Sequence, residues 1–161
     1  MFGKVRAVPE GFHTLTPQLV VHDAAAAIDY YRRTFGATVR RIHRAPGGAA
    51  ITHAELKIGN SVLIVRDEFP GMHALSPQSL GGTTAAVHVY VEDVDAVFQR
   101  ALAAGAKILV PLNDAFWGDR YGVIVDPFGQ HWSLATHTQD LSPEEIRKAA
   151  DEAIAQVVPE S

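Results

Sequence analysis

The chain has 161 residues, 47% hydrophobic and 20% charged, which suits one soluble domain or two small modules sharing a core. A formal net charge of −4 argues against nucleic acid as the main partner, and the lack of cysteine excludes disulfides, thiolate metal sites and a cysteine nucleophile. No apolar run reaches membrane-spanning length, because "ITHAELKIGNSVLIV" is interrupted by Glu55, Lys57 and Asn60, and "MFGKVRAVPEGFH" has no apolar core of signal-peptide length. No membrane partner is therefore expected, and the expected location is cytoplasmic.

In chain order, the first element pair lies in "PQLVVHDAAAAIDYYRRTFGA", residues 17–37. An alternating strand meets Asp23, which stands where a helix N-cap belongs, and Ile28, Tyr31 and Phe35 then recur at helical spacing until Gly36 stops the helix. Three strands follow, at about Thr38–His43, Ala50–Ile58 and Ser61–Arg66, with Gly59–Asn60 as a tight hairpin turn. Arg40, Arg41 and Arg44 read as a solvated strand edge rather than a phosphate site. The stretch "FPGMHALSPQSLGG" is rich in Pro, Gly and Ser and is expected to be a mobile linker.

The pattern then repeats. "AAVHVYVEDVDAVFQRALAAGA", residues 85–106, is again a strand, an Asp cap (Asp93), and a helix with Val94, Val97, Phe98 and Leu102 on one face before Gly105. Strands at about Lys107–Val110, Tyr121–Val125 and His131–Thr136 follow, with "DPFG" as a turn. Last comes "SPEEIRKAADEAIAQVV", where Ser142, Pro143 and Glu145 make a capping box. Its stripe of Ile146, Ala149, Ala150, Ala153, Ile154 and Val157 must pack on something. The expected division is a single domain over residues 1–161. Module 1 spans about 13–68, the linker about 69–83, module 2 about 84–138 and a C-terminal helix about 142–158.

A doubled βαβββ unit carrying "DPFGQHW" before its last strand resembles the vicinal oxygen chelate (VOC) superfamily. That superfamily holds glyoxalase I, extradiol dioxygenases, fosfomycin-modifying enzymes and bleomycin-binding proteins. The run "WGDRYGVIVDPFGQHWSLATH" resembles its PhnB-like branch in particular, and the resemblance covers about Leu15 to His137. It implies an α+β fold in which each set of four strands curls into half of a mixed-sheet cup, with helices outside.

Alternation then sorts side chains by face. Leu19, Val21, Val87, Val89, Val91, Ala54, Leu56, Ile58, Trp132 and Leu134 go toward the helices. Thr16, Gln18, Val20, His53, Glu55, Val62, Ile64, Arg66, Ala86, His88, Tyr90, His131, Ser133 and Ala135 go into the cup.

Metal-using relatives carry one ligand on each of four strands, and the matching positions here are Thr16, Ile64, Ala86 and Ser133. None offers the imidazole or carboxylate that a first-row divalent cation wants, so no metal and no other cofactor is expected. His131 lies two residues from the implied ligand position and His137 lies past the strand end, toward the C-terminal segment. The alternative is a displaced divalent metal drawn from His53, Glu55, His88 and His131.

Two residues are candidates for acid–base chemistry. His88 is the candidate general acid–base, since an imidazole can both give and take a proton, and Glu55 is the candidate carboxylate base. Ligand binding is assigned to Gln18, His53, Tyr90, Trp117, Arg120, His131 and Ser133. Arg120, placed on the cup side by alternation with Ser133, is expected to hold a carboxylate or phosphate, while Trp117 and Tyr121 stack on a planar ligand. In the competing reading Arg120 pairs with Asp119 and only fixes the loop. The expected function is small-molecule binding on a VOC fold without the usual metal ligands. The alternative is a lyase, isomerase or dioxygenase-like enzyme using a displaced metal or His88. A homodimer is expected, since the C-terminal stripe needs a covering surface.

Overall fold

The computed structural model describes residues 5–157, and the chain divides into two compact units. The N-terminal unit runs to Ala85 and includes Pro127–Gln130, while the C-terminal unit holds Ala86–Asp126 and continues from His131. In the first, β1 (Gln18–Val21), α1 (Ala24–Phe35), β2 (Thr38–Arg44), β3 (Ile51–Ile58) and β4 (Ser61–Asp67) form a sheet ordered β1-β4-β3-β2. A short α2 (Pro77–Leu80) follows. In the second, β5 (Ala86–Tyr90), α3 (Val94–Ala103), β6 (Lys107–Asp114), β7 (Asp119–Val125) and β8 (His131–His137) form a sheet ordered β5-β8-β7-β6. α4 (Pro143–Val157) closes the described chain. β1 is parallel to β4 and β5 to β8, and the remaining pairings are antiparallel. The expected βαβββ order thus occurs twice. Among the described residues no helix is long and apolar enough to cross a membrane.

α1 and α3 are each fixed at their start from two directions. Along the chain, Asp23 accepts from the Ala26 amide and Asp93 from the Ala96 amide, both at 2.9 Å. Across the sheet, Asp67 Oδ1 accepts from the Ala24 amide at 2.7 Å and Thr136 Oγ1 from the Val94 amide at 2.9 Å. Asp67 also takes the Ile51 amide on Oδ2, and Thr136 donates to the Val91 carbonyl. Gly36 stops α1 in the left-handed region at φ 65°. α3 ends one residue before the expected glycine, on Ala104, and Gly105 then takes the positive φ.

The helices cover one face of each sheet. Tyr30 and Tyr31 of α1 are buried with Val21, Leu56 and Val65, and Val94 and Phe98 of α3 with Ile124, Trp132 and Leu134. Gly122 faces Phe98 so closely that a Cβ there would lie 2.8 Å from the ring, which is why β7 carries no side chain at that point. Trp132 is fully buried and donates from Nε1 to Asp126 Oδ2 at 2.9 Å.

Two expectations need correction. The linker is structured rather than a mobile loop. It holds a 3₁₀ turn (Pro70–Met72) and α2, because Glu68 accepts from the Ser76 amide and the Ser79 hydroxyl while Ser76 caps the helix that Pro77 opens. The turn residues 127–130 pack with the N-terminal unit rather than with module 2. The Phe128 ring lies 6.0 Å from Tyr30 and 6.3 Å from Tyr31, and Gln130 Nε2 donates to the Val20 carbonyl. The capping box of α4 forms as expected, with Ser142 and Glu145 exchanging bonds. Its apolar stripe is half-buried at Ile146, Ala149, Ala150 and Ala153, while Ile154 is 59% exposed. Val158, the last residue of the expected helix, lies outside the described residues.

Trp132→Ala should cost about 3–5 kcal/mol of stability, through lost packing and a lost indole hydrogen bond. Urea denaturation monitored by circular dichroism measures this. A cost under about 1 kcal/mol would show that the C-terminal core does not rest on this ring.

Candidate functional site

The ladders decide what each strand offers away from its helix. In the C-terminal sheet His88 pairs with Ser133, Tyr90 with Ala135, Tyr121 with Ala135 and Val123 with Ser133. Directly paired residues share a face, so His88, Tyr90, Tyr121, Ser133 and His131 stand together on the open face. Val87, Val89, Ile124, Trp132 and Leu134 stand on the α3 face.

The open face is aromatic and hydrogen-bonded. His88 Nδ1 lies 2.6 Å from Ser133 Oγ, with the His88 ring 4.6 Å from Tyr90 edge-on and 6.2 Å from Tyr121 in a near-parallel stack. Trp117 continues the surface at 5.2 Å from Tyr121, and Phe116 lies 5.0 Å from Trp117. Tyr90 is 62% exposed, whereas Ser133 is buried beneath His88.

Asp119 organises the end of this surface. Its buried carboxylate accepts from Trp117 Nε1 at 2.8 Å and Tyr90 Oη at 3.2 Å on Oδ2, and lies 2.7 Å from His137 Nδ1 on Oδ1. Burial pushes its pKa up, but the donors from His137, Trp117 and Tyr90 together outweigh burial and hold it below the usual carboxylate range. Desolvation, followed by the neighbouring Asp119, pushes the Tyr90 hydroxyl up, so Tyr90 serves as a donor rather than a base. Gly118 shapes the turn that delivers Trp117 and Asp119. It adopts φ 97°, and a Cβ there would collide with the Gln139 carbonyl oxygen. Its own carbonyl accepts from the Thr138 and Gln139 amides.

Arg120 is not on this face. The pairing of Val125 with His131 and Val123 with Ser133 groups odd-numbered residues of β7 with odd-numbered residues of β8, so Arg120 shares the α3 side with Thr136. There its Nε and Nη2 meet Asp95 at 3.2 and 2.9 Å in a forked contact, and Nη1 meets Asp114 at 3.4 Å. The competing expectation, an Asp119–Arg120 pair, fails for the same reason, since adjacent strand residues point to opposite faces. The sequence reading gives Asp119 no role other than as that partner. The signal that could have found it is its two-residue spacing from Tyr121 and Trp117. His137 is the last residue of β8 rather than beyond it, and its Nε2 reaches Asp140 Oδ1 at 2.9 Å, as expected for a contact with the following segment.

In the N-terminal unit Gln18 pairs with Ile64 and Glu55 with Ile64, which places Gln18 and Glu55 on the open face of that sheet, with His53 two residues before Glu55. His53 Nε2 lies 3.2 Å from Glu55 Oε1, so this base candidate already has a partner. A shallow cavity of about 650 Å³ lies along β1 and α2, lined by Gln18, Val20, Leu75, Pro77, Leu80 and Gln130 among others.

The four positions that the resemblance equates with metal ligands offer no imidazole or carboxylate. Ile64 and Ala86 are hydrocarbon, Thr16 precedes β1 and donates to the His13 carbonyl, and Ser133 is engaged by His88. Among the described residues no three His, Asp or Glu side chains cluster as a metal would need.

His137 carries a pH signature. Asp140, then Asp119, raise its pKa, because only the imidazolium can donate from both nitrogens at once. The folded-state value thus lies above the ordinary histidine value of about 6.5. The associated stabilisation is complete below that pH and is lost as pH rises through the raised value. In an NMR titration, Asp140→Asn should bring the His137 midpoint down toward the ordinary value. An unchanged midpoint would mean the Asp140 contact is not formed in solution.

The sequence pattern of the "Glyoxalase/Bleomycin resistance protein/Dioxygenase superfamily" matches residues 12–134. The chain is 46% identical over 139 residues to the Mycobacterium tuberculosis (strain ATCC 25618 / H37Rv) protein Rv0887c, covering 84% of this chain and 81% of that one. The crystal structure of TioX from Micromonospora sp. ML1 superposes with a TM-score of 0.59 at 31% identity, covering 78% of this chain and 98% of TioX. Protein PA1353 from Pseudomonas aeruginosa shares the fold alone, with a TM-score of 0.65 at 20% identity over 79% of this chain and 99% of that one. Two βαβββ units in tandem, with the matched region running from before β1 into β8, make this chain a member of the glyoxalase/bleomycin resistance protein/dioxygenase superfamily.

Proposed function

We propose that the protein binds a planar small molecule on the open face of its C-terminal sheet, without a metal ion. The observation that carries this reading is the continuous aromatic surface of Tyr90, His88, Tyr121 and Trp117, with Tyr90 largely exposed. Flat side chains with polar tips offer stacking area at low conformational cost, and Ser133, Asp119 and His131 add polarity around it. The bond between His88 Nδ1 and Ser133 Oγ favours a second reading, in which His88 works as a general acid–base in a lyase- or isomerase-type reaction. That reading lacks an orienting group, since among the described residues no carboxylate is hydrogen-bonded to His88. We also assign the chain to the PhnB-like branch on the run from Trp117 to His137, and to the cytoplasm.

Quinoline, naphthalene and indole are suitable uncharged planar probes. At least one should bind saturably in a fluorescence or NMR titration, should be recovered chemically unchanged, and should bind equally after dialysis against EDTA. Tyr90→Ala should weaken it by roughly 0.5–1.5 kcal/mol, the worth of one aromatic contact. Failure of all three probes to saturate, or binding that disappears with EDTA, would overturn the proposal.

We further propose a homodimer. The supporting features are the exposed Ile154 of α4 and the exposed Ile108, Leu109 and Val110 of β6. Light scattering at micromolar concentration should return twice the 17.4 kDa chain mass. A monomer mass would reject this assembly.

A further inference from the structure

The open face of the N-terminal sheet has a different character from that of the C-terminal one. Arg41 lies opposite Glu55, Glu55 opposite Ile64, Lys57 opposite Val62, and Val20 beside Arg66, so Arg41, Glu55, Lys57 and Arg66 share one face. Three fixed cations thus stand against one carboxylate in a chain whose formal net charge is −4. That carboxylate is itself engaged by His53.

Among the described residues none of the three cations forms an ion pair, and Arg66 is the one that is partly buried. It is only partly exposed, its guanidinium carbon lies 5.4 Å from the centre of the Phe69 ring, and its Nε is covered with no hydrogen-bond acceptor. The next two residues in the chain are acidic, but both are committed elsewhere. Asp67 points to the helix side and holds the Ala24 and Ile51 amides, while Glu68 holds Ser76 and Ser79. Among the described residues no carboxylate forms an ion pair with Arg66. A half-buried guanidinium stacked on an aromatic ring keeps its in-plane donors free, and leaving them without an acceptor is costly. Water can satisfy a donor, but it does not compensate the charge.

We propose that Arg66 is the anchor of a small-anion site on the N-terminal sheet, receiving a carboxylate or phosphate group of a small molecule. The Phe69 ring lies under the guanidinium carbon, and Arg41 and Lys57 supply long-range attraction on the same face. The site depends on charge where the C-terminal surface depends on stacking, so uncharged planar probes do not test it and its failure is separate.

The test follows the Arg66 Nε–H signal of the full-length protein by ¹H–¹⁵N NMR at fixed ionic strength. Inorganic phosphate is added in one series and benzoate in another, which distinguishes the two anion sources. At least one should shift that signal saturably, and Arg66→Gln should weaken the binding by about tenfold or more, as loss of a charge-assisted bond does. Shifts that grow linearly without saturation in both series would overturn the proposal. Saturation seen only around Arg41 or Lys57, or unchanged binding in Arg66→Gln, would do the same. Should that variant fail to fold, the wild-type Nε–H titration decides alone.

Discussion

The first amide of α1 and that of α3 are each gripped by a side chain from the last strand of the same unit, Asp67 in one case and Thr136 in the other. This bond ties together the two ends of a βαβββ unit. A helix N-terminus leaves its early amides without intrahelical partners, so an acceptor delivered from the sheet satisfies one of them and fixes where the helix starts. Asp23 and Asp93 satisfy another from within the chain. With its start held twice, each helix lies over one face of its sheet and leaves the other face open. Everything that can bind a ligand follows from which residues that choice leaves uncovered.

The two open faces then diverge, although the backbone plan is the same. Around β5, β7 and β8 the open face carries rings, with the buried Asp119 carboxylate collecting Trp117, Tyr90 and His137. Around β3 and β4 it carries cations, with a single His53–Glu55 pair among them. Flat amphipathic groups suit stacking, whereas an uncompensated guanidinium suits an anion. A repeated fold can therefore carry two kinds of recognition without any change in its topology.

Membership of the superfamily fixes the scaffold but not the chemistry. The four positions that the family resemblance equates with metal ligands are a threonine ahead of β1, an isoleucine, an alanine and a serine bonded to His88. The polar groups that remain on each face sit at neighbouring positions and are satisfied mainly by one another. His53 meets Glu55, His88 meets Ser133, and His137 bridges Asp119 and Asp140. Groups arranged in this way hold a surface in shape more readily than they gather around an ion.

By itself the sequence determined the doubled βαβββ order, the Asp caps, the Gly59–Asn60 hairpin, the α4 capping box and the face of nearly every strand residue. These features are local, set by helical and strand periodicity and by turn chemistry, so they can be read along the chain. Only the tertiary structure decided the rest. Arg120 went to the helix side because the register across the β7–β8 turn, not alternation along one strand, sets which residues meet, and a one-residue difference reverses every side chain. The Pro- and Gly-rich linker became ordered because Glu68 reaches forward to Ser76 and Ser79, a bond invisible to composition. Asp119 became a hub, and Arg66 found no counter-ion among the described residues, for the same physical reason. Partners for a charge are chosen across strands, by distance and face, and a linear chain records neither.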